Sequence, residues 1–189
     1  MTPFRIMLVD DEESVLKALE RRLRTTPCVY NGEVFPLQVE RFLSAKAALE
    51  RARHTAFDLF LSDYRMPEMD GVDFLKATIE IQPDSARLIL SGYADLNGLV
   101  RAINAAQIYR FLSKPWNDYE LLSTVAQALA YRRLLVENKR LANQARFEQG
   151  KMSAAALERD LLEAMEPGIT QVKWGPDGSV ILDDPDGEL

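Results

Sequence analysis

Short apolar runs alternate along this chain with longer stretches in which apolar positions recur every three or four residues, the signatures of buried strands and of amphipathic helices. Phe4-Arg5-Ile6-Met7-Leu8-Val9 stops at Asp10-Asp11, as a strand buried on both faces does where it opens into a loop. From Ser14 to Arg24, Val15, Leu16, Leu19 and Leu23 share one helical side. The alternation continues with a strand over Leu37 to Phe42, a helix over Ala45 to Arg53, and a strand over Phe57 to Leu61 that ends just before Asp63. Gly71 to Ile81 reads as a helix stopped by Pro83, Ala86 to Leu90 as a strand, Leu96 to Ala106 as a helix and Ile108 to Leu112 as a fifth strand. A long helix follows Pro115-Trp116-Asn117-Asp118. Serial βα units predict an α/β fold, a doubly wound five-stranded parallel sheet, because parallel strands need crossover helices.

Two segments fall outside that frame. Thr25 to Pro36 is a long helix-to-strand connection with a predicted hairpin, Val29-Tyr30 and Glu33-Val34-Phe35 around Asn31-Gly32, read as a surface excursion. Beyond Ala130, Tyr131 to Gln149 and Ser153 to Met165 predict a helical extension. Ile169 to Trp174 and Ser179 to Leu182 flank Gly175-Pro176-Asp177-Gly178 and predict a terminal β-hairpin before an acidic end. The domain reading is therefore 1–130, then a helical extension over 131–166, then a hairpin and tail over 167–189.

Composition narrows the class. A chain of 189 residues has room for one ordinary domain and an appendage. A net charge of -6 offers no footprint for nucleic-acid phosphates or an anionic membrane, so the expected partners are proteins. Neither a signal peptide nor an apolar run of membrane-spanning length is present, and the single cysteine, Cys28, has no disulfide partner within the chain; a cytoplasmic location is expected.

The topology places the chemistry before any motif is read, since ligands of open α/β sheets bind at the carboxyl ends of the strands. Asp10 and Asp11 follow the first predicted strand, Asp63 the third, Ser91 the fourth and Lys114 the fifth, so all five converge on one edge. Three carboxylates held together repel one another unless a cation neutralises them. An all-oxygen set suits Mg²⁺, and an aspartate can accept a phosphoryl group. Such transfer needs positioning and charge neutralisation, which Mg²⁺, the Lys114 ammonium and the Ser91 hydroxyl supply.

Leu8-Val9-Asp10-Asp11-Glu12, Leu61 to Gly71 with Ser62-Asp63-Tyr64-Arg65-Met66-Pro67, Ser91-Gly92 and Lys114-Pro115 resemble the receiver domain of two-component response regulators, over residues 4 to 130. The resemblance implies a flavodoxin-like fold with Asp63 as phosphoacceptor. It implies Mg²⁺ on Asp10, Asp11, Asp63 and the backbone carbonyl of Arg65, Lys114 on the phosphoryl group, and Ser91 with the aromatic at 111 as the switch pair. It also implies a cis peptide at Lys114-Pro115. That aromatic is often tyrosine in the family and is Phe111 here, so a phenolic hydrogen bond is lacking from the switch. Arg65 and Tyr93 stand where side chains flank the phosphoryl group. The run Tyr109 to Trp116 resembles receivers often joined to HD-GYP phosphodiesterase domains, though this chain carries no such domain.

Taken singly, these residues have plainer readings. Asp10 or Asp11 alone is a solvated acid, Ser91 a helix cap before Ala94 to Ala106, Lys114 a surface charge, Phe111 a core side chain, and Trp116 and Trp174 packing residues. His54 is a solvated helix-end residue, Cys28 lacks any cue for activation, and Arg132, Arg133, Lys139, Arg140 and Arg146 form a solvated helix face. Convergence of the acids with the lysine favours a non-enzymatic switch charged by a histidine kinase or phosphotransfer protein and read by a downstream protein near Tyr93, Arg101, Tyr109 and Trp116. The alternatives are a phosphorylation-independent adaptor and the receiver portion of a longer regulator with an output domain. An aspartate phosphatase is disfavoured because no second aspartate stands two residues beyond Asp10 or Asp63. Leu121, Leu122, Val125, Leu129, Leu134, Val136 and Leu141 exceed what one helix needs to cover a sheet, which predicts a homodimer drawing on residues 121 to 182, or a fold-back of Ser153 to Met165. Arg132, Arg133 and Asn138 interrupt any strict heptad, so a long coiled coil is not expected.

Overall fold

The computed structural model describes residues 2–92, 106–165, 173–174 and 180–181. Nine strands and five helices follow in order among them. They are β1 (Phe4–Val9), α1 (Glu13–Thr25), β2 (Cys28–Tyr30), β3 (Glu33–Phe35), β4 (Leu37–Phe42), α2 (Ala45–His54) and β5 (Leu59–Asp63). Then come α3 (Gly71–Ile81), β6 (Ala86–Gly92), β7 (Arg110–Lys114), α4 (Asp118–Glu148), α5 (Ala154–Met165), β8 (Lys173–Trp174) and β9 (Val180–Ile181). The main sheet runs β4-β1-β5-β6-β7 with every pair parallel, the predicted doubly wound, flavodoxin-like arrangement.

Side-chain alternation divides the core into two layers. Ile6, Leu8, Leu59, Leu61, Leu88 and Leu112 pack with Leu16, Leu19 and Leu23 of α1 and Leu121, Val125 and Leu129 of α4. Met7, Val9, Phe60 and Ile89 meet Ala48 and Ala52 of α2 and Val72, Phe74 and Leu75 of α3 on the other side. Strands without a polar face are what a sheet covered on both sides demands.

Several boundaries differ from the sequence reading. Asp63, Ser91 and Lys114 lie inside β5, β6 and β7 rather than in the loops after them. Backbone pairing carries the ladder through these polar positions, matching Asp63 with Leu90, Ser91 with Ser113 and Gly92 with Lys114. At the other end of β5, Phe57 and Asp58 leave the ladder because their amides go to the Gln82 side chain and the Arg5 carbonyl. The predicted helix over residues 96–106, the cap at Ser91 that depends on it, and Tyr93 and Arg101 lie outside the described residues, apart from Ala106 in a turn.

The excursion is a hairpin as predicted, with Asn31 at φ 51° and Gly32 at φ 78°, the pair of positive angles that a tight two-residue turn needs. It is not merely a surface feature. Cys28 and its cross-strand partner Phe35 are buried, and Phe35 stacks at 5.4 Å from Phe4. Burial drives the Cys28 thiol up to about 12, leaving it an inert core group. Val29, Tyr30 and Val34 are exposed.

The boundary expected at residue 130 falls in the middle of an uninterrupted helix, since α4 runs without a break from the receiver core into the extension. Arg133, Lys139, Arg140 and Arg146 are exposed, as a solvated face requires, but three of the helix's cations also reach acids of the receiver. Arg132 ion-pairs Asp58 at 2.5 Å and Lys139 pairs Asp84 at 2.7 Å, while Arg133 pairs Glu33 and lies over the Phe35 ring at 5.3 Å. Leu121, Val125 and Leu129 are consumed by the core, so they are not available to a partner. His54 is exposed and meets Glu50 at 3.2 Å.

At the edge of the sheet opposite the acids, a buried polar hub fixes the turn between α3 and β6. Arg87 is 2% exposed; its guanidinium caps α3 by donating to the carbonyls of Gln82 at 2.6 Å, Ser85 at 2.9 Å and Thr78 at 3.2 Å, and to the Thr78 hydroxyl at 3.0 Å. Gln82 in turn donates to Ala52 and Thr55 carbonyls at 2.6 and 2.7 Å and accepts from Phe57 N–H at 2.7 Å. Orphan carbonyls at a helix C-terminus need partners when buried. Arg87→Met, which keeps the apolar stem and removes every donor, is expected to cost about 2–4 kcal/mol of unfolding free energy in urea titration. A loss below about 1 kcal/mol would show that water replaces the guanidinium there.

Candidate functional site

The carboxyl-terminal edge of β1, β5 and β7 delivers the predicted residues to one place. Asp10 follows Val9 and is fully buried; its backbone N–H donates to Phe42 carbonyl at 3.1 Å, and its Oδ1 accepts from Glu12 N–H at 2.9 Å. Asp63, 6% exposed, ends β5, where Oδ2 accepts from Arg65 N–H at 3.0 Å. Asp11 is exposed beside them. One carboxylate oxygen from each of Asp10, Asp11 and Asp63 lies within 4.8 Å of the others. Such a set of hard oxygen donors fits a small divalent cation.

Lys114 supplies the interior positive charge. Its Nζ lies 2.7 Å from Asp10 Oδ2 and 2.5 Å from Asp63 Oδ1, bridging strands β1 and β5 from β7. The cis peptide to Pro115 follows it directly, as the resemblance implies. Burial raises the Asp63 carboxyl above its ordinary range, reinforced by the Asp10 charge, and Lys114 and the Arg65 amide offset only part of this. Burial works against the Lys114 ammonium too, but Asp10 and Asp63 outweigh it and hold its proton more tightly than usual.

Ser91 is buried on β6 next to the Asp63–Leu90 pair, and its hydroxyl donates to the Gly92 carbonyl at 3.2 Å. Phe111 departs from expectation. It is 38% exposed rather than a core side chain, because β7 is the last strand of the sheet and its alternation sends Leu112 into the core instead. Trp116 packs partly buried against the core as predicted, whereas nothing is described of the Trp174 side chain.

The supporting roles of three residues, Gly71, Asp70 and Ser62, escape the sequence reading. A Cβ on Gly71 would sit 1.9 Å from the Asp63 carbonyl oxygen, so α3 starts in contact with the acceptor strand only because position 71 has no side chain. Gly71 N–H donates to Tyr64 carbonyl at 2.9 Å, and Asp70 caps the helix by accepting from Asp73 N–H at 2.8 Å. Ser62 completes the support, its hydroxyl donating to the Asp63 carbonyl at 2.9 Å. The Asp70-Gly71 pair closing the Asp63 segment was the available signal.

Parallel sheet, convergent acids and bridging lysine together define the receiver class of signalling domain. The chain matches the response regulator receiver domain family over residues 6–126 and belongs to that family. The hydrogenase transcriptional regulatory protein HoxA of Bradyrhizobium diazoefficiens is 34% identical over 137 residues, covering 71% of this chain and 26% of that protein. The response regulator protein TodT of Pseudomonas putida is 32% identical over 124 residues, covering 66% and 50% respectively. The chain thus spans a quarter to a half of the length of these curated relatives. Among solved structures, the signal receiver domain of an HD domain-containing protein from Pseudomonas fluorescens Pf-5 aligns with TM-score 0.62 and 33% identity, over 70% of this chain and 98% of that one. A CheY-like receiver from Methanospirillum hungatei JF-1 aligns with TM-score 0.60 and 26% identity, over 70% and 98%.

The electrostatics predict an acid-range signature. A carboxyl whose folded pKa is raised contributes stability below its unfolded value and loses it as pH rises through the folded value. Metal-free Asp63→Asn protein is therefore expected to be more stable than wild type at neutral pH, the gap closing in thermal melts as pH falls through the folded pKa toward 3.8. A variant less stable than wild type at neutral pH would contradict the direction of that shift. Gly71→Ala should cost about 1–3 kcal/mol, since backbone rather than a flexible side chain must move.

Proposed function

We propose that Asp63 accepts a phosphoryl group from the phosphohistidine of a histidine kinase or phosphotransfer protein. An O–P bond forms at the Asp63 carboxylate as the donor's P–N bond breaks, and the imidazole leaves. The observation that carries this reading is the Lys114 ammonium seated between Asp10 and Asp63, within reach of any oxygen attached to the acceptor. Asp10, Asp11 and Asp63, with the Arg65 carbonyl, would hold Mg²⁺, which when bound neutralises the clustered acids and the phosphoryl oxygens. Lys114 keeps its proton at neutral pH and follows the negative charge from the carboxylate to the phosphoryl group. Ser91, one residue past the partner of Asp63 on the neighbouring strand, turns its hydroxyl toward that group, and Phe111, exposed on the edge strand, answers by changing the surface offered to a downstream protein. No turnover of an external substrate is part of this reading.

A second reading is favoured by coverage: the curated relatives are two to four times as long as the matched segment, as expected if this receiver works with an output domain in a longer regulator. No helix among the described residues is long and apolar enough to cross a membrane, in keeping with cytoplasmic action. The phosphorylation-independent adaptor is disfavoured by the complete set of acids, hydroxyl and lysine.

Acetyl phosphate or phosphoramidate with Mg²⁺ should add one phosphoryl group to wild type and none to Asp63→Asn, read by intact mass spectrometry, and chelation by EDTA should abolish the addition. Ser91→Ala should still be phosphorylated yet lose most of the beryllofluoride-induced chemical-shift change around Phe111. Full labelling of Asp63→Asn would place the acceptor elsewhere, and an unchanged response in Ser91→Ala would remove the hydroxyl from the switch.

A further inference from the structure

Helix α5 folds back on α4, as one of the two sequence expectations has it, and leaves a cavity of about 370 Å³ at the end of the sheet remote from the acids. Phe57, Ile81 and Pro83 of the receiver form its floor, and Val136 of α4 with Leu157 and Leu161 of α5 form its walls. Tyr131, Leu134 and Leu141 are exposed on the other side of α4 and take no part in it.

Apolar walls close on each other unless something holds them apart. Here polar contacts do. Arg132–Asp58 and Lys139–Asp84 fix α4 against the receiver at 2.5 and 2.7 Å, and the buried Asn143 ties α4 to Asp160 of α5 at 3.0 Å. Gln82 and Ser85 stiffen the floor through bonds to the backbone of Ala52, Thr55 and Phe57. Water suits such a space poorly, because a buried water needs about three polar partners. The polar groups of the floor are engaged, and Arg132, Lys139 and Arg140 along the α4 wall pair with Asp58, Asp84 and Glu137. An apolar body fills the cavity better. At interior packing density the volume holds about ten to fifteen non-hydrogen atoms.

Charge decides the rest of the ligand. The three lining cations each have an acid partner, whereas Asp160, among the described residues, meets the neutral Asn143 amide. Glu163 lies one turn further along α5 and lines the same cavity. The α5 wall is therefore negative, attracting an ammonium and repelling a carboxylate. We propose that the cavity between the receiver, α4 and α5 binds a small organic cation, a ring-bearing apolar body with one protonated amine directed at Asp160. The site is separate from the Asp63 edge and does not rest on phosphorylation there.

Titration of the full chain followed in ¹⁵N–¹H spectra tests this, with 1-naphthylmethylamine and the similar-sized 1-naphthaleneacetate as probes. The amine should saturate at one per chain below about 1 mM, shifting amides within residues 56–57, 81–85, 136–143 and 157–163. Naphthaleneacetate should bind at least about fivefold more weakly, and Asp160→Asn should weaken the amine by about the same factor without weakening the acid. Val136→Trp, which fills the cavity, should abolish binding of both probes while keeping its circular dichroism. Asp160→Asn, at an exposed position, decides the matter alone if that bulkier variant does not fold. No saturable binding of the amine, an acid that binds as tightly, or wild-type affinity in Asp160→Asn would each overturn the proposal.

Discussion

Everything at the functional edge depends on one ammonium group. A doubly wound sheet brings Asp10 and Asp63 to adjacent strand ends with little water around them, and two such carboxylates would repel each other and resist ionisation. Lys114 reaches both from β7 at hydrogen-bonding distance, so the charge that makes the acids tolerable also ties β7 to β1 and β5. The compensation is incomplete. Asp63 remains raised, and the exposed Asp11 adds a further negative charge, which leaves room for a divalent cation rather than a closed, neutral cluster. A fully neutralised site would be more stable and less able to take up new charge.

The opposite edge solves a different problem with different chemistry. There the turn before β6 must stay fixed, and a buried guanidinium held by backbone carbonyls and the Thr78 hydroxyl does it. Asp58 joins this end to the helical extension. It accepts from Arg5 N–H at 2.7 Å and pairs with Arg132, so one side chain links β1, the start of β5 and α4. Each of these pairs is partly exposed, and surface ion pairs are individually weak. Their number and spread along α4 orient the helix more than they stabilise it, and that orientation turns its leucines outward.

Much of this was legible in the sequence, for reasons that differ by element. Periodicity locates β4 and α3 to the residue, because both are bounded by strong signals: a proline before Leu37, the Asp70 cap and Gly71 at one end of α3, and Pro83 just past the other. The acid, hydroxyl and lysine set was legible because topology alone sends strand ends to one edge. Strand ends themselves were misplaced at Asp63, Ser91 and Lys114, since hydrophobicity reports side-chain burial and the ladder is made by backbone. Phe111 was misread for a related reason: the same apolar run that marks a buried strand also fits an edge strand, and only the sheet order distinguishes them. The tethering role of Arg132, Arg133 and Lys139 was invisible, because their partners Asp58, Glu33 and Asp84 are 55 to 100 residues away.

Continuity of α4 connects the receiver core to the helical extension. Its first turns, through Leu129, are part of the receiver core beneath β7, and its later turns carry the outward apolar face, with no break between them. Tyr131 stands at the junction, where its ring lies 5.5 Å from Tyr109, one residue before β7 begins. Lys114 ends that same strand. A rearrangement of β7 around Lys114 and Phe111 therefore meets α4 at Tyr131, the first residue of the exposed face, and a rigid helix has few ways to absorb it except by rotating or shifting as a unit.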